Sequence, residues 1–583
     1  MTRLTSTLRQ YGGILLLLAV SLALKLRHLG HHALTYWDES FHALVAKNLL
    51  KHPLKPTLVD LPFLPYDYRG WGENHVWLHK PILPLWQIAL SYALFGVNAF
   101  ALRLPSALLS TGAVLLTYLI GKELLDRRAA LVAATAQAFN PSLMQLIHGY
   151  LYSDHIDIAL LFWVEVGVYF VVRTMRTGRL RDATLAGVAQ GLAYHSKSYL
   201  GLIITGLAVT AWLLPTIRLG RRDASQVRGR HILILLGATL VTVAPWTLHC
   251  IANYPQEWFH EEIYVWLHLT TDIEAWGAPW DRLVFDYSIH LYHVFYTPIL
   301  VASFALVWRA FKRRDTGLWF VYAWGLGVLI PHLLATTKTP SATVIGMPPA
   351  FLLLGAFVSE AWRRNRWAAV TWLAVVAWSL ATTPKIEGWG RGYPNPLAFG
   401  AIMRQAIWVV WHVAGSLGVG VVLESVCQVW ERRRWATLPR WGWHWAMTAG
   451  LVLASAGTVL LGARTVRASW DVVRRNANEP TFSDIARYMR EELPSNGVYL
   501  FDFENEKGNW GDHQLTMFLA DRTCYRFEGD AWIANGRTIR EKGGIPYVVS
   551  HGEMPLPKVY TSVKDARTIY EWREPDAPAN PTR

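Results

Sequence analysis

A polytopic α-helical membrane protein with a small α/β domain on its outer face is the fold class that this 583-residue sequence predicts, on three observations. The chain is 52% hydrophobic and only 17% charged, where an ordinary soluble domain carries about 25% charged residues. Its basic residues, mostly Arg, gather in short breaks between apolar runs. That pattern reads as membrane topology, so the net charge of +14 implies no nucleic-acid partner. Beyond about residue 465 the apolar runs give way to alternating strand-like and helix-like segments, as in an α/β domain.

Taken in order, Arg3 and Arg9 precede the apolar run "GGILLLLAVSLAL", which passes into "KLRHLGHH" with no small-residue cleavage pattern. An uncleaved signal anchor serving as the first transmembrane helix is expected. The stretch "TYWDESFHALVAKNLL" (35–50) then places Phe41, Leu44, Val45 and Leu49 on one face of an amphipathic helix headed by Asp38 and Glu39. Acidic residues at a helix N-terminus already suit the macrodipole without any further role.

Six Arg-rich breaks organise the middle of the chain, at 121–128, 173–182, 218–230, 308–315, 360–367 and 431–440. If all six face the cytoplasm, an even number of spans separates each consecutive pair. The segment 183–217 supplies such a hairpin, turning at Ser196–Lys197–Ser198. Parity leaves one crossing between Asp38 and Gly121, although that interval holds two apolar runs. The run 82–98, at the short limit for crossing about 30 Å, is therefore assigned to a helix lying at the interface. The expectation is about 13 transmembrane helices with the N-terminus cytoplasmic and the C-terminus outside. Residues 1–465 form the membrane domain, with an outer loop at 28–100, and residues 466–583 the outer α/β domain. In the latter, "TFSDIARYMREEL" and "DHQLTMFLA" read as helices and "VYLFDF" and "IPYVVS" as strands. Cys250, Cys427 and Cys524 are too scattered for a zinc site or a disulfide framework.

The predicted outer face collects the polar residues that membrane packing does not require: Asp38 and Glu39, His79 and Lys80, Asp154 and Asp157, Lys197, and Lys338. Ionisable groups at a membrane boundary are expensive to bury and are functional suspects. Asp154 and Asp157 also suit helix capping, and a lone boundary lysine commonly snorkels to the interface. Lys80 and Lys338, however, lie on the side that the positive-inside pattern leaves poor in cations. Carboxylates and lysines sharing one face suit group transfer from an anionic lipid carrier. A carboxylate can take a proton from the acceptor, and cations can hold a leaving phosphate. No Gly-rich nucleotide-binding loop occurs in a strand–helix setting. His148, His155, His249, His260, His268, His290 and His293 fall near the outer face without HxxH or HxH spacing. A divalent metal ion has room among these groups, but no ligand spacing demands one.

The blocks "DESFHALVAKNLL", "HKPILPLWQIALSYALFGVNAFALRLPSALLSTGAVLLTYLIGKELLDRRAAL", "YSDHIDIALLFW" and "ATTKTPSATVIGMPPA" resemble a known family. They are similar to those of the type C glycosyltransferases of the dolichyl-phosphate-mannose protein mannosyltransferase and aminoarabinose transferase superfamily. The specific likeness covers roughly residues 10–215 and 315–355. It implies Asp38, with Glu39 beside it, as the catalytic base, and Asp154 as a second acidic residue that positions the acceptor or an ion. It implies Lys80, next to His79, and Lys338 as contacts to the lipid phosphate, with Lys197 a looser match. Asp157, three residues after Asp154, is the other candidate for the second acid. Ile82 and Ala342 depart from the family's usual Pro and Tyr, the latter removing an aromatic that contacts donor or acceptor.

The expected activity is transfer of a sugar from a polyprenyl-phosphate donor to a lipid, glycan or protein acceptor on the outer face, with inversion. The Trp residues of the loop 248–288 (Trp258, Trp266, Trp276 and Trp280) suit the lining of a sugar site and, equally, interfacial anchoring. The competing class is a lipid or glycolipid transporter or flippase without transferase activity. That class expects ionisable residues near the midplane and two related halves.

Overall fold

Long apolar segments that must satisfy their own backbone hydrogen bonds in lipid become helices, and helices dominate this chain. The computed structural model describes residues 2–364 apart from 32, 36–37, 151–155, 218, 220–224, 274–275, 279–281, 293–294 and 340. It also describes 483–574 apart from 505–511, and isolated helical positions between 414 and 472.

The first part comprises α1 (Thr2–Leu26), α2 (Asp38–Leu49), α3 (Ile82–Phe95), α4 (Ala99–Leu124), α5 (Arg127–Ala138), α6 (Pro141–Ile147), α7 (Asp157–Thr177), α8 (Leu180–Lys197) and α9 (Ile203–Thr216). It continues with α10 (Gly229–Asn253), α11 (Pro255–Thr270), α12 (Ser288–Tyr292), α13 (Tyr296–Arg313), α14 (Thr316–Leu334) and α15 (Met347–Arg364). Among the described residues six helical stretches are long and apolar enough to cross a membrane: Ala99–Leu124, Asp157–Thr177, Leu180–Thr216, Gly229–Asn253, Thr316–Leu334 and Ala342–Glu360. Together with its membrane-enzyme relatives, described below, this makes the chain an integral membrane protein. The spans expected within 365–465 lie outside the described residues.

The hairpin expected at 183–217 is present. Ser198, at φ +48, and the 3-10 turn Ser198–Leu202 break the run between α8 and α9. Gln190 Oε1 then accepts from both the backbone N–H and the hydroxyl of Thr205, at 2.8 Å each, which lays the two arms side by side. Helix α3 has 14 residues, too few to span about 30 Å of hydrocarbon. Within the bundle, helices approach over small residues. A Cβ on Gly187 would stand 2.2 Å from the carbonyl oxygen of Leu235, so α8 and α10 touch backbone to backbone there.

The second part comprises α16 (Ser483–Glu491), β1 (Gly497–Asp502), α17 (Asp512–Ala520), β2 (Thr523–Phe527), α18 (Ala531–Glu541), β3 (Ile545–Ser550), β4 (Lys558–Thr561) and β5 (Thr568–Glu571). The sheet order is β2-β1-β3-β5-β4, with β1 parallel to β2 and β3 and the β5 pairings antiparallel. The two helices and two strands read from the sequence are all present; β2, α18, β4 and β5 are additional.

Helix α2 is sandwiched between α3 and α17, and one hydrophobic core joins Phe41, Val45 and Trp77 of the outer loop to Tyr499, Phe518 and Tyr525 of the sheet domain. The apolar face expected for α2 is buried as read. Its polar side is buried too, with Ser40 and His42 at 0% exposure; the His42 ring meets that of Trp77 at 6.1 Å, and Lys47 reaches Asp521 of the sheet domain.

Candidate active site

Adjacent residues on a helix diverge by about 100°, and Asp38 and Glu39 at the head of α2 meet different partners. Glu39 is fully buried. Arg103 of α4 grips it with two prongs, Nε to Oε1 at 2.6 Å and Nη2 to Oε2 at 3.0 Å. The same guanidinium donates to the carbonyls of Leu29 (3.1 Å) and Ala33 (3.0 Å), and the Thr35 N–H donates to Glu39 Oε2 at 2.6 Å. Gly149, at φ +73, packs so closely that a Cβ there would come 2.7 Å from Glu39 Oε1. Such a pair locks the start of α2, where Asp38 also stands, to α4. Asp38 instead turns to Lys80, its Oδ1 3.1 Å from Nζ, with both side chains nearly buried.

Lys80 stands just before Pro81, whose extended backbone (φ -60, ψ 148) starts α3. Beside it opens a small, partly open cavity between the loop 28–100 and α8, α10 and α11. His79 lies in its wall, stacked on Trp71 at 4.3 Å between ring centres, with Nδ1 3.1 Å from Glu261 Oε2. Glu262, also in the wall, accepts from the hydroxyls of Tyr194 (3.2 Å) and Tyr199. One turn earlier on α11, Glu257 accepts from the Tyr66 hydroxyl. That contact and burial push the Tyr66 phenol well above its ordinary pKa, burial being the larger cause.

A second group forms where α7 begins and α8 and α14 end. Asp157 begins α7 fully buried, its Oδ1 2.5 Å from Lys197 Nζ at the end of α8. Lys338 follows α14 in a turn pinned to the end of α11 through Thr336 N–H to Leu269 O and Thr337 N–H to His268 O, both 3.0 Å. Lys338 is 3% exposed, and its ammonium donates to Ala335 O at 2.5 Å. Burial holds it below the ordinary lysine value. The charges of Lys197 and Lys338 both reach His332 on α14, which puts the two lysines in one neighbourhood. Asp154, His155 and Trp280 lie outside the described residues. Of the remaining loop tryptophans, Trp258 lines the cavity, while Trp266 packs on Tyr199 at 4.6 Å and stays half exposed. Among the described residues no three His, Cys, Asp or Glu side chains converge as metal ligands would.

Sequence reading passed over Arg103, Glu261, Glu262, Tyr194 and Tyr199. Arg103 carried a usable signal, as a lone cation on the predicted outer end of an apolar helix. Glu257 and Glu261 carried another, at the i, i+4 spacing that puts two carboxylates on one helix face.

Residues 79–249 match the family model described as dolichyl-phosphate-mannose-protein mannosyltransferase. The undecaprenyl phosphate-alpha-4-amino-4-deoxy-L-arabinose arabinosyl transferase 2 of Pseudomonas fluorescens (strain Pf0-1) is 27% identical over 379 residues, 61% of each chain. The corresponding enzyme of Pseudomonas aeruginosa (strain LESB58) is 28% identical over 351 residues, 56% of each chain. The chain thus spans about three fifths of the length of the curated relatives it matches. The crystal structure of ArnT from Cupriavidus metallidurans bound to undecaprenyl phosphate has a similar fold, with a TM-score of 0.61 and 16% identity over 96% of this chain and 98% of that one. The Archaeoglobus fulgidus oligosaccharyltransferase tethered to an acceptor peptide has a TM-score of 0.51 and 14% identity over 99% of this chain and 76% of that one.

A helical membrane bundle with an acid and a lysine paired in the loop 28–100, sharing these relatives, resembles the type C glycosyltransferase superfamily. Within that superfamily both its sequence and its fold are similar to the aminoarabinose transferases.

Proposed function

We propose that the chain transfers a sugar from a polyprenyl-phosphate donor to a lipid, glycan or protein acceptor on the outer face of the membrane. The observation that carries this reading is the Asp38–Lys80 pair at the edge of a polar and aromatic cavity. The acceptor's hydroxyl or amine attacks the anomeric carbon from the side opposite the phosphate and inverts its configuration. The carbon–oxygen bond to phosphate breaks, and its electron pair leaves on the polyprenyl phosphate. Asp38 takes the acceptor's proton as general base. Lys80 and Lys338 stabilise the charge that grows on the leaving phosphate. When donor binds, its phosphate competes with Asp38 for Lys80, and the released carboxylate is free to accept the proton. Asp154 and Asp157 are the candidates for orienting the acceptor, with Lys197 bound to Asp157. The topology that fits has about 13 spans, a cytoplasmic N-terminus and the α/β domain outside. A divalent ion at the acidic residues remains compatible with this chemistry, and chelation followed by readdition of Mg²⁺ or Mn²⁺ reads out its need.

The decisive variant is Asp38→Asn in proteoliposomes supplied with polyprenyl-phosphate sugar. Removing a general base costs about 10² to 10⁴ in rate, while the yield of folded protein stays at the parent level. Retained transfer removes Asp38 as the base. The transporter reading has one observation on its side, since Glu165 of α7 is fully buried in the bundle and Lys25 lies within electrostatic reach. Glu165 is, however, paired with Thr117 and Gln137 at 2.7 Å each, as a packing contact would be. Lipid translocation that survives Asp38→Asn, with no transfer by the parent protein, would favour transport.

A further inference from the structure

The cavity beside Lys80 contains two buried polar groups that the rest of the protein leaves unsatisfied. Glu261 is 93% shielded from solvent, at 7% exposure, and its Oε2 meets His79, but Oε1 has no hydrogen-bond partner. His195, on the last turn of α8, is buried to the same degree, and its Nε2 makes no close hydrogen bond, the backbone of Thr242 and Val243 on α10 being its nearest polar company. Both side chains line the cavity. A buried carboxylate oxygen or imidazole nitrogen without a partner is costly, and native proteins rarely keep one without a use.

We infer that Glu261 and His195 form the sugar-binding subsite of this protein, taking the hydroxyl or amino substituents of a glycosyl group whose phosphate is held at Lys80. The inference rests on the transferase reading above and assigns the donor's sugar to this cavity. A carboxylate oxygen can only accept, so the ligand must present an O–H or N–H to Glu261. The imidazole nitrogen accepts or donates according to its tautomer, which suits a hydroxyl. Glu261 and Glu262 together repel a second anionic group, so the subsite excludes sugars with acidic substituents. An alkyl chain would leave both polar groups unsatisfied, which assigns the polyprenyl tail elsewhere. Trp258, also in the wall, adds aromatic surface of the kind that packs on the C–H face of a sugar.

The test is binding by the purified full-length chain in nanodiscs. The probes are undecaprenyl phosphate alone, undecaprenyl phosphate-4-amino-4-deoxy-L-arabinose and dolichyl phosphate mannose. The parent should bind at least one sugar-bearing probe more tightly than undecaprenyl phosphate. Glu261→Gln and His195→Phe should each weaken that probe about tenfold or more. Both should leave undecaprenyl phosphate within about twofold, which a variant that merely loosened the fold would not do. Two variants on separate helices keep the test open should one fail to fold. Equal binding of sugar-bearing and bare lipids by the parent, or equal weakening of both kinds by the variants, overturns the subsite and leaves the transferase reading standing. Failure of the parent to bind any of the three removes the transferase reading as well.

Discussion

In the membrane bundle, α5 and α15 approach so closely that a Cβ on Gly355 would stand 2.2 Å from the carbonyl oxygen of Ala129. Ala129 is fully buried there, and Ala133 shares a core with Leu352 and Ala356 of α15. In the outer layer the side chains are large: Trp77, Phe41, Tyr499, Tyr570 and Trp572 are nearly all fully buried. The contrast follows from solvent. Lipid tails give helices no hydrophobic reason to associate, so contact area comes from small residues and close backbones. Where the loop 28–100 packs on the sheet domain, burying aromatic area away from water is the main driving force. Asp38 belongs to the second region, since α2 is built into the core it shares with the α/β domain. The proposed base is therefore held by the physics of a soluble protein, while the donor's lipid would be handled by the bundle beside it.

The strongest way to break this division is at a fully buried charged rivet, the Glu39–Arg103 pair that ties α2 to α4. Breaking a fully buried ion pair from one side costs about 3–5 kcal/mol, because the other charge is left unpaired. Glu39→Gln should destabilise the folded protein by that order in detergent unfolding and lower transfer with it. Glu39→Leu combined with Arg103→Met should recover much of the loss, since no lone charge remains. Failure of the double variant to recover any stability would mean that the two-pronged geometry itself orders the outer loop.

A smaller effect is expected inside the bundle. Gly355→Val places atoms where the Ala129 backbone already is, and overpacking typically costs about 1–3 kcal/mol. The readout is the midpoint of thermal unfolding followed by helix signal. An unchanged midpoint would show that α15 can slide on α5, contrary to a seam set by backbone contact.

These two sites also mark what the sequence made legible. The hairpin at Lys197 was readable because charge and turn residues interrupt an apolar run, and the start of α2 because Asp38 opens a periodic stretch. The division of labour between Asp38 and Glu39 was not readable. It depends on Arg103, 64 positions away, and neighbouring carboxylates look alike until a helix turns them apart. Strands β4 and β5 have only four residues each, too short for alternation to register. Glu261 was hidden for another reason: the loop 248–288 drew attention through its tryptophans, and the helix within it became visible only when α11 packed against the outer loop. The burial of α2 on both sides was equally unreadable, because one of the helices packed on it, α17, lies more than 400 residues downstream.

The smallest effect is expected where the α/β domain meets α2 at the surface. Lys47 Nζ lies 2.7 Å from Asp521 Oδ1 and also sits 5.5 Å from the centre of the Phe518 ring. Asp521 is two-thirds exposed, so the pair contributes at most about 1 kcal/mol in spite of its short distance. The hydrogen bond from Lys47 is the main reason that the Asp521 carboxyl titrates below its ordinary value. A depressed carboxyl pKa stabilises the fold at pH above the unfolded value. That contribution is lost as pH falls through the folded value, so the pair should weaken below about pH 4. Lys47→Met retains the apolar stem over Phe518 and removes only the charge. Amide exchange in α17 should rise slightly at neutral pH and not at all under acid, and about 1 M salt should erase the difference. A large rise at every pH would mean that the domain is docked by this charge pair, and that the shared aromatic core contributes less to holding α2 than its burial implies.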